Sequence, residues 1–358
     1  MKIGILTFHN ACNYGAVLQC YALQEVLTSL GHEVDVIDYR NSWVEAIYKP
    51  FSFLILKHYI RNPRTFFKYV FSYFNRKKAN TIKLCIFSEF VYNNFNLADF
   101  DYVNNRPQKD YDIIFIGSDQ LWGLSCLGGK FDNVYLGNFY HGHAKIIGYA
   151  ISADLKSLQT LSEMKALSSV LNNYTAVSFR EKTNVDYVGK LTNKDVDVCV
   201  DPTLLLPYSG WNNIINDQWK GKNYVVLYQV RYNDEQKKYL IEQANKIANE
   251  IGNGCTVVDL NGNYKVEDFI SAIKYAKLVI TSSFHATVFS LIFRTQFYSI
   301  KLNDGCDGRY ISLLQKLNLE ERIVNAGEDI CYTNCKLPDY SLDVISQHSI
   351  DFIKKHLK

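Results

Sequence analysis

The chain has 358 residues, 47% of them hydrophobic, and 39 basic against 36 acidic residues give a formal net charge of +3. That length exceeds one ordinary core and predicts about two domains, while the near-balanced charge excludes a general nucleic-acid-binding role. Nine cysteines, an odd number lying mostly in apolar runs with Cys331 and Cys335 as the one close pair, read as reduced cytosolic thiols rather than a disulfide framework. Met1-Lys-Ile-Gly-Ile-Leu runs straight into a core strand without a signal-peptide pattern, and no apolar stretch approaches the roughly 18 residues needed to span a bilayer. A cytoplasmic protein is expected.

In chain order, Ile3 to Thr7 reads as an apolar strand, Phe8 to Tyr14 as a polar loop closing at Gly15, Ala16 to Leu30 as a helix, and Val34 to Asp38 as the next strand. This βαβ unit lacks GxGxxG, so no dinucleotide is expected. Asn13, Tyr14 and Gly15 lie on the loop where ligands touch such units, although plain turn chemistry uses the same residues. Residues 41–110 read as a helical insertion. Within it, 46–88 holds no Asp or Glu but nine Lys or Arg interleaved with aromatics. Such a segment either makes a peripheral membrane contact, aromatics at headgroup depth and cations on phosphates, or packs its aromatics on the sheet and shows a basic face to solvent.

Strands follow at Ile113 to Ile116, Ile146 to Ile151, Ala176 to Phe179 and Val196 to Val200, with a helix around Ser162 to Leu171, completing a first doubly wound domain over 1–207. After a turn near Pro207 to Gly210, a second domain over 208–341 runs through Tyr224 to Val230 (strand), Glu235 to Glu250 (helix), Thr256 to Val258 (strand), Glu267 to Tyr275 (helix), Val279 to Thr281 (strand), Ala286 to Phe293 (helix), Phe297 to Lys301 (strand), a turn over Asn303 to Gly308 and a helix over Tyr310 to Leu317. Residues 342–358 read as a C-terminal helix. The expected class is α/β, two Rossmann-like domains with a cleft.

Ligands of open α/β sheets sit beyond the carboxyl ends of strands, near helix N-termini that favour anions. His285 stands there, in the first helical turn after Ser282 and Ser283, and suits a general acid. A lone histidine amid apolar residues is more often a core residue, but this position favours function. Ser283 is grouped with it as a binding group. Arg309 begins the next helix, where a guanidinium fork suits a phosphate or carboxylate; a surface pair with Asp304 or Asp307 is the plainer reading. In the first domain, Arg180 and Glu181 follow the strand ending at Phe179, and Asp119 and Trp122 follow the strand ending at Ile116. Asp119 suits a base or a sugar-hydroxyl contact and Trp122 a pyranose platform, with a helix cap and a core tryptophan as the alternatives. Asp201 ends a further strand and equally suits a turn. No histidine or cysteine spacing supports a metal site.

The segments IGILTFHNACNYGAVLQCYAL, FIGSDQLW, SFREK, DPTLLL, SSFHATVFSLI and GRYISLLQKLNL occur in an order that resembles the polysaccharide pyruvyl transferase family across nearly the whole chain. The resemblance implies two Rossmann-like domains facing across a cleft in the GT-B manner, and transfer of a carboxyethylidene group from phosphoenolpyruvate, the donor substrate, to two hydroxyls of a sugar, with no cofactor. It puts the catalytic histidine on His285, a donor-site arginine on Arg180 and the second donor-site cation on Arg309, with Lys301 as rival. Phe284 stands where many members carry leucine. Asp119 and Glu181 are candidate bases. Expected partners are phosphoenolpyruvate and a sugar acceptor, polyprenyl-diphosphate-linked if 46–88 meets the inner face of the plasma membrane, and no nucleic acid. Two other readings are a GT-B glycosyltransferase using a nucleotide sugar and a non-catalytic membrane-associated assembly factor.

Overall fold

Short apolar runs that alternate with helices bury both faces of their strands only as a parallel sheet covered on either side. The computed structural model describes residues 1–59, 63–230, 233–303, 307–332 and 337–358, without the side chains of 59, 63–70 and 72–76. The chain divides into two units, Met1–Leu206 with Ser346–Lys358, and Pro207–Ile345.

The first unit runs β1 (Lys2–Leu6), α1 (Tyr14–Ser29), β2 (Glu33–Asp38), α2 (Ser42–Tyr48), α3 (Phe53–Tyr59), α4 (Pro63–Asn94), β3 (Leu97–Asp101), β4 (Arg106–Pro107), β5 (Ile113–Asp119), β6 (Lys145–Ile151), α5 (Leu155–Glu163), α6 (Leu167–Asn172), β7 (Ala176–Phe179), α7 (Lys182–Val188) and β8 (Val196–Val198). Among the described residues its strands form one sheet in the order β4-β3-β2-β1-β5-β6-β7-β8, parallel except where β3 meets β4. The order reverses at β1, which pairs with both β2 and β5. That is the topological switch point, where the crevice of a doubly wound sheet opens.

Two expectations are corrected here. The insertion expected over 41–110 ends earlier, because Leu97–Asp101 rejoins the sheet beside β2; Ala98 and Phe100 face inward while Asp99 stays exposed, an alternation that acidic residues disguise. The helix expected around 162–171 is two helices, broken where Lys165 takes a left-handed backbone, φ 56°. The inserted helices are anchored by the C-terminal half of α4: Phe87, Phe90 and Val91 are buried, with ring centroids 5.1 Å apart for Tyr14 and Phe87 and 6.2 Å for Tyr21 and Phe90. Arg61 and the side chains of Arg64, Lys68 and Arg76 lie outside the described residues.

The second unit runs β9 (Tyr224–Tyr228), α8 (Asp234–Ile251), β10 (Thr256–Asp259), α9 (Val266–Tyr275), β11 (Leu278–Thr281), α10 (Phe284–Phe293), β12 (Phe297–Lys301), α11 (Gly308–Lys316) and β13 (Ile323–Asn325). Among the described residues its sheet order is β10-β9-β11-β12-β13, all parallel, with the switch point between β9 and β11. The expected turn at Pro207 to Gly210 is instead the start of a 3-10 helix, Tyr208–Ile214, whose Trp211 is buried against Phe289. The last helix, α12 (Asp343–His356), passes into the first unit.

One charged cluster sits at the carboxyl ends of β1 and β2. Asp38 accepts from His9 Nε2 at 2.8 Å and from Arg40 Nε and Nη2 at 2.6 and 2.8 Å, and His9 is 1% exposed. Burial alone raises the Asp38 carboxyl, but the hydrogen bonds from His9 and Arg40 outweigh it and hold the group well below the usual carboxylate range. A depressed folded value contributes stability that is complete above the unfolded value, about 3.9, and is lost as pH falls toward the folded one. Asp38→Asn is therefore expected to cost about 1–3 kcal/mol in urea unfolding at pH 7. The gap to wild type should narrow as the measurement moves from pH 5 to pH 3; a gap independent of pH rules this account out.

Candidate active site at the carboxyl edges of the two sheets

In the second unit the ends of β9, β11 and β12 are tied together by hydroxyls. Thr281 Oγ1 donates to Tyr228 O at 2.7 Å, and Ser282 N to the same oxygen at 3.3 Å. Thr287 Oγ1 lies 2.7 Å from Ser299 Oγ, joining α10 to β12. Ser283 caps α10, its Oγ accepting from Ala286 N at 3.4 Å; the expected binding group thus has a structural task. The cap fixes the first turn and with it His285, at the mouth of the β9/β11 switch point.

Arg309 occupies the corresponding turn of α11, beyond the neighbouring strand. Its loop is held by Asp307, which accepts Asn303 N at 2.7 Å and the Tyr310 hydroxyl at 2.6 Å. Asp304, weighed above as a partner, lies outside the described residues, as do Gly305 and Cys306 of that turn and Cys335 of the expected cysteine pair. Arg309 Cζ is 5.8 Å from the centre of the Phe284 ring, whose edge-on neighbour at 5.2 Å is His285. Phe284 is thus a neighbour of both the imidazole and the guanidinium. Lys301, half-buried at the end of β12, belongs to the same edge.

Sequence reasoning missed Gln229, which follows β9 at the switch point. It is 3% exposed, and its Oε1 is buried without a hydrogen-bond partner among the described residues. A buried acceptor left unpaired is costly, and a substrate hydroxyl would satisfy it. Its place directly after a buried strand, in the switch-point crevice, was the available signal.

In the first unit Asp119 ends β5 in a left-handed conformation, φ 80°, the kind of backbone strain that gathers at functional sites. Gly117, two residues before it, is required by close packing: a Cβ there would meet Tyr149 O at 2.0 Å. Asp119 is brought to Arg180, Oδ1 to Nη2 3.5 Å, and Arg180 also donates to the buried Asp201. The Arg180 side chain is only 4% exposed. Burial lowers the guanidinium's affinity for its proton, but Asp201, Asp119 and Glu181 outweigh that and raise it. Arg180, which the resemblance assigns to the donor site, thus lies inside a carboxylate cluster. Asp201 combines both of its readings, since Oδ1 also accepts from Thr203 N at 3.0 Å as a cap. Glu181 accepts from Ser152 Oγ at 2.6 Å and Asn184 Nδ2 at 3.1 Å.

Trp122 is a core residue rather than a sugar platform. It is 0% exposed, its indole N–H donates to Tyr135 O at 3.0 Å, and Phe179 packs edge-on at 5.5 Å. Tyr14 and Gly15, expected on the first loop, are instead buried in the first turn of α1, and the exposed Asn13 caps that helix by accepting from Ala16 N at 3.3 Å. A second residue missed by the sequence reading is Lys83, half-buried on α4. Burial pushes the Cys12 thiol up to about 11 against the pull of the Lys83 charge, and burial lowers Lys83 itself. Among the described residues, no three His, Cys, Asp or Glu side chains converge as metal ligands.

No protein of curated function matches the chain. Among solved structures it is similar to the UDP-GlcNAc 2-epimerase of Methanocaldococcus jannaschii at 11% identity, covering 100% of this chain and 99% of that one with a TM-score of 0.48. It is similar to MnaA of S. aureus at 10% identity, covering 100% and 96% with a TM-score of 0.46, and to the heptosyltransferase WaaC of E. coli at 10% identity, covering 100% and 100% with a TM-score of 0.36. These likenesses carry no statement about activity. Residues 13–304 match the model of the polysaccharide pyruvyl transferases, a span that includes Asp119, Arg180, His285 and Lys301 and ends before Arg309, and the chain belongs to the polysaccharide pyruvyl transferase family.

Proposed function

We propose that the protein moves the carboxyethylidene group of phosphoenolpyruvate onto two hydroxyls of one sugar unit in cell-surface polysaccharide synthesis, forming a pyruvate ketal and releasing phosphate. The observation that carries this reading is the placement of His285 at the second unit's switch point, with the Phe284 ring beside both it and Arg309, in a member of a polysaccharide pyruvyl transferase family.

The donor bears a phosphate and a carboxylate. Arg309, with Lys301 along the same edge, supplies fixed positive charge for them, and positioning of this kind lowers a barrier by several kcal/mol. His285 gives its proton to the methylene carbon of the enol, which becomes a methyl group, and the adjoining carbon becomes an oxocarbenium-like centre. A sugar hydroxyl adds there and loses its proton to a base, for which Asp119 is the candidate. The second hydroxyl then forms its bond to the same carbon as the bond to the phosphate oxygen breaks, and its proton leaves with the phosphate, closing the ring. Arg180 acts as a positioning residue, holding Asp119 beside the end of β5, and Glu181 braces the loop through Ser152 and Asn184. Gln229 Oε1 is available to a substrate hydroxyl. No cofactor enters this scheme.

With lipid-linked or synthetic sugar acceptors, phosphoenolpyruvate is expected to release phosphate only when acceptor is present, and the sugar to gain the mass of one carboxyethylidene group. His285→Ala should lower kcat by about 10² to 10⁴-fold with phosphoenolpyruvate binding retained. If nucleotide sugars are consumed instead, or if the variant keeps full turnover, the proposal is wrong. The two cations are separable: Arg309→Ala should raise KM for phosphoenolpyruvate by roughly tenfold or more, and Lys301→Ala less. The reverse order in steady-state kinetics would assign the donor contact to Lys301.

A further inference from the structure

The helices inserted between β2 and β3 bury one face and leave another bare. On α3 the sequence Phe53-Leu54-Ile55-Leu56-Lys57-His58 puts Ile55 inward at 6% exposure, while Phe53 is 77% and Leu54 43% exposed. Lys57 and His58 are exposed as well. Positions i, i+1, i+4 and i+5 share one side of a helix, so the outward side reads apolar in its first turn and basic in its second. Ile47, 43% exposed at the end of α2, and Phe51, 37% exposed in the link to α3, add to it. The Phe51 and Phe53 rings meet edge-on at 5.0 Å. Phe71 of α4 is a further exposed aromatic, at 74%.

Four large apolar side chains exposed within eight residues are unusual for a soluble surface and mark a place of contact. The charge identifies the contact. From 46 to 88 the sequence has nine cations and no acid, and Lys49 and Lys57 flank the apolar residues from either side, both exposed. Lys49 lies 3.3 Å from Glu45, just ahead of this stretch; from Lys49 through α3 the described charges are basic beside aromatic and aliphatic tips, a pattern that suits a sheet of anionic headgroups over hydrocarbon better than a protein partner of mixed charge. Among the described residues no helix is long and apolar enough to cross a membrane, so the contact is interfacial.

We propose that α3 and the preceding link, through Ile47, Phe51, Phe53 and Leu54 with Lys49 and Lys57, form a docking surface for an anionic lipid bilayer. The apolar tips enter the headgroup boundary and the two lysines lie on lipid phosphates. This stands independently of the reaction proposed above.

The test is sedimentation of the full chain with vesicles of phosphatidylcholine alone and of phosphatidylcholine mixed with phosphatidylglycerol. Binding is expected to the mixed vesicles and to fall as salt rises. The double variant Phe53→Ser/Leu54→Ser should bind at least about tenfold more weakly, and Lys49→Glu/Lys57→Glu weaker by roughly fivefold per lysine, each with an unchanged thermal midpoint because the replaced side chains are exposed. The proposal is overturned if the wild type binds mixed and neutral vesicles alike or binds neither, or if both variants bind as the wild type does. It is also overturned if the apolar variant merely turns a dimer into a monomer in light scattering without altering vesicle binding. Loss of vesicle binding in variants that keep acceptor-dependent phosphate release separates this surface from the reaction; a failed reaction with intact vesicle binding would fault the catalytic reading alone.

Discussion

The second unit depends on one small interaction, the Thr281 hydroxyl bonded to the Tyr228 carbonyl. It closes the seam between β9 and β11 at the point where ladder pairing ends, and Ser282 N shares the same acceptor. With that seam closed, Ser283 can cap α10 and the next residues can place Phe284 and His285 in a fixed turn. A parallel sheet buried on both faces leaves its chemistry to the edges. In the proposed reaction an imidazole on a loose loop would lose the geometry that proton transfer to carbon requires, and the hydroxyls buried under the edge would serve it through rigidity.

The first unit places charge differently. Arg180 pairs with both Asp119 and Asp201 inside the edge, and His9, Asp38 and Arg40 form a second closed set at the ends of β1 and β2. Both clusters pair opposite charges within the first unit's own edge. Such internally satisfied groups hold loops in place at the cost of desolvation, which their mutual pairing offsets. The left-handed backbone of Asp119 is kept by this surrounding structure, an arrangement that resists relaxation of the strained turn.

Much of the architecture was legible because strands and helices announced themselves by period. Phe297–Lys301 and Ala176–Phe179 are continuous apolar runs with clear ends, and the Ser282-Ser283 cap signalled α10. What escaped did so for specific reasons. Asp99 and Asp101 hid an edge strand whose inward residues are only Ala98 and Phe100. The break between α5 and α6 has neither glycine nor proline. Trp122 stood between two readings that its bond to the Tyr135 carbonyl decides, and the pairing of Arg180 with Asp201 leaves no mark in the sequence. Position along the chain can suggest that a residue reaches an edge, but only packing determines whether its side chain emerges. Gln229 and Lys83 carry no motif at all; each became noticeable through burial.

The last helix gives the chain an unusual history. The first unit consists of residues up to Leu206 together with Ser346–Lys358, so its polypeptide is interrupted by the whole of the second. Ser349 Oγ accepts from Val200 N at 2.9 Å, and Phe352 is buried, its ring 6.3 Å from Tyr149. During synthesis the sheet around β6 and β8 waits for the final residues before these contacts exist, while the second unit has its complete sequence sooner. The first unit thus gains its last contacts only after the whole of the second unit has been made.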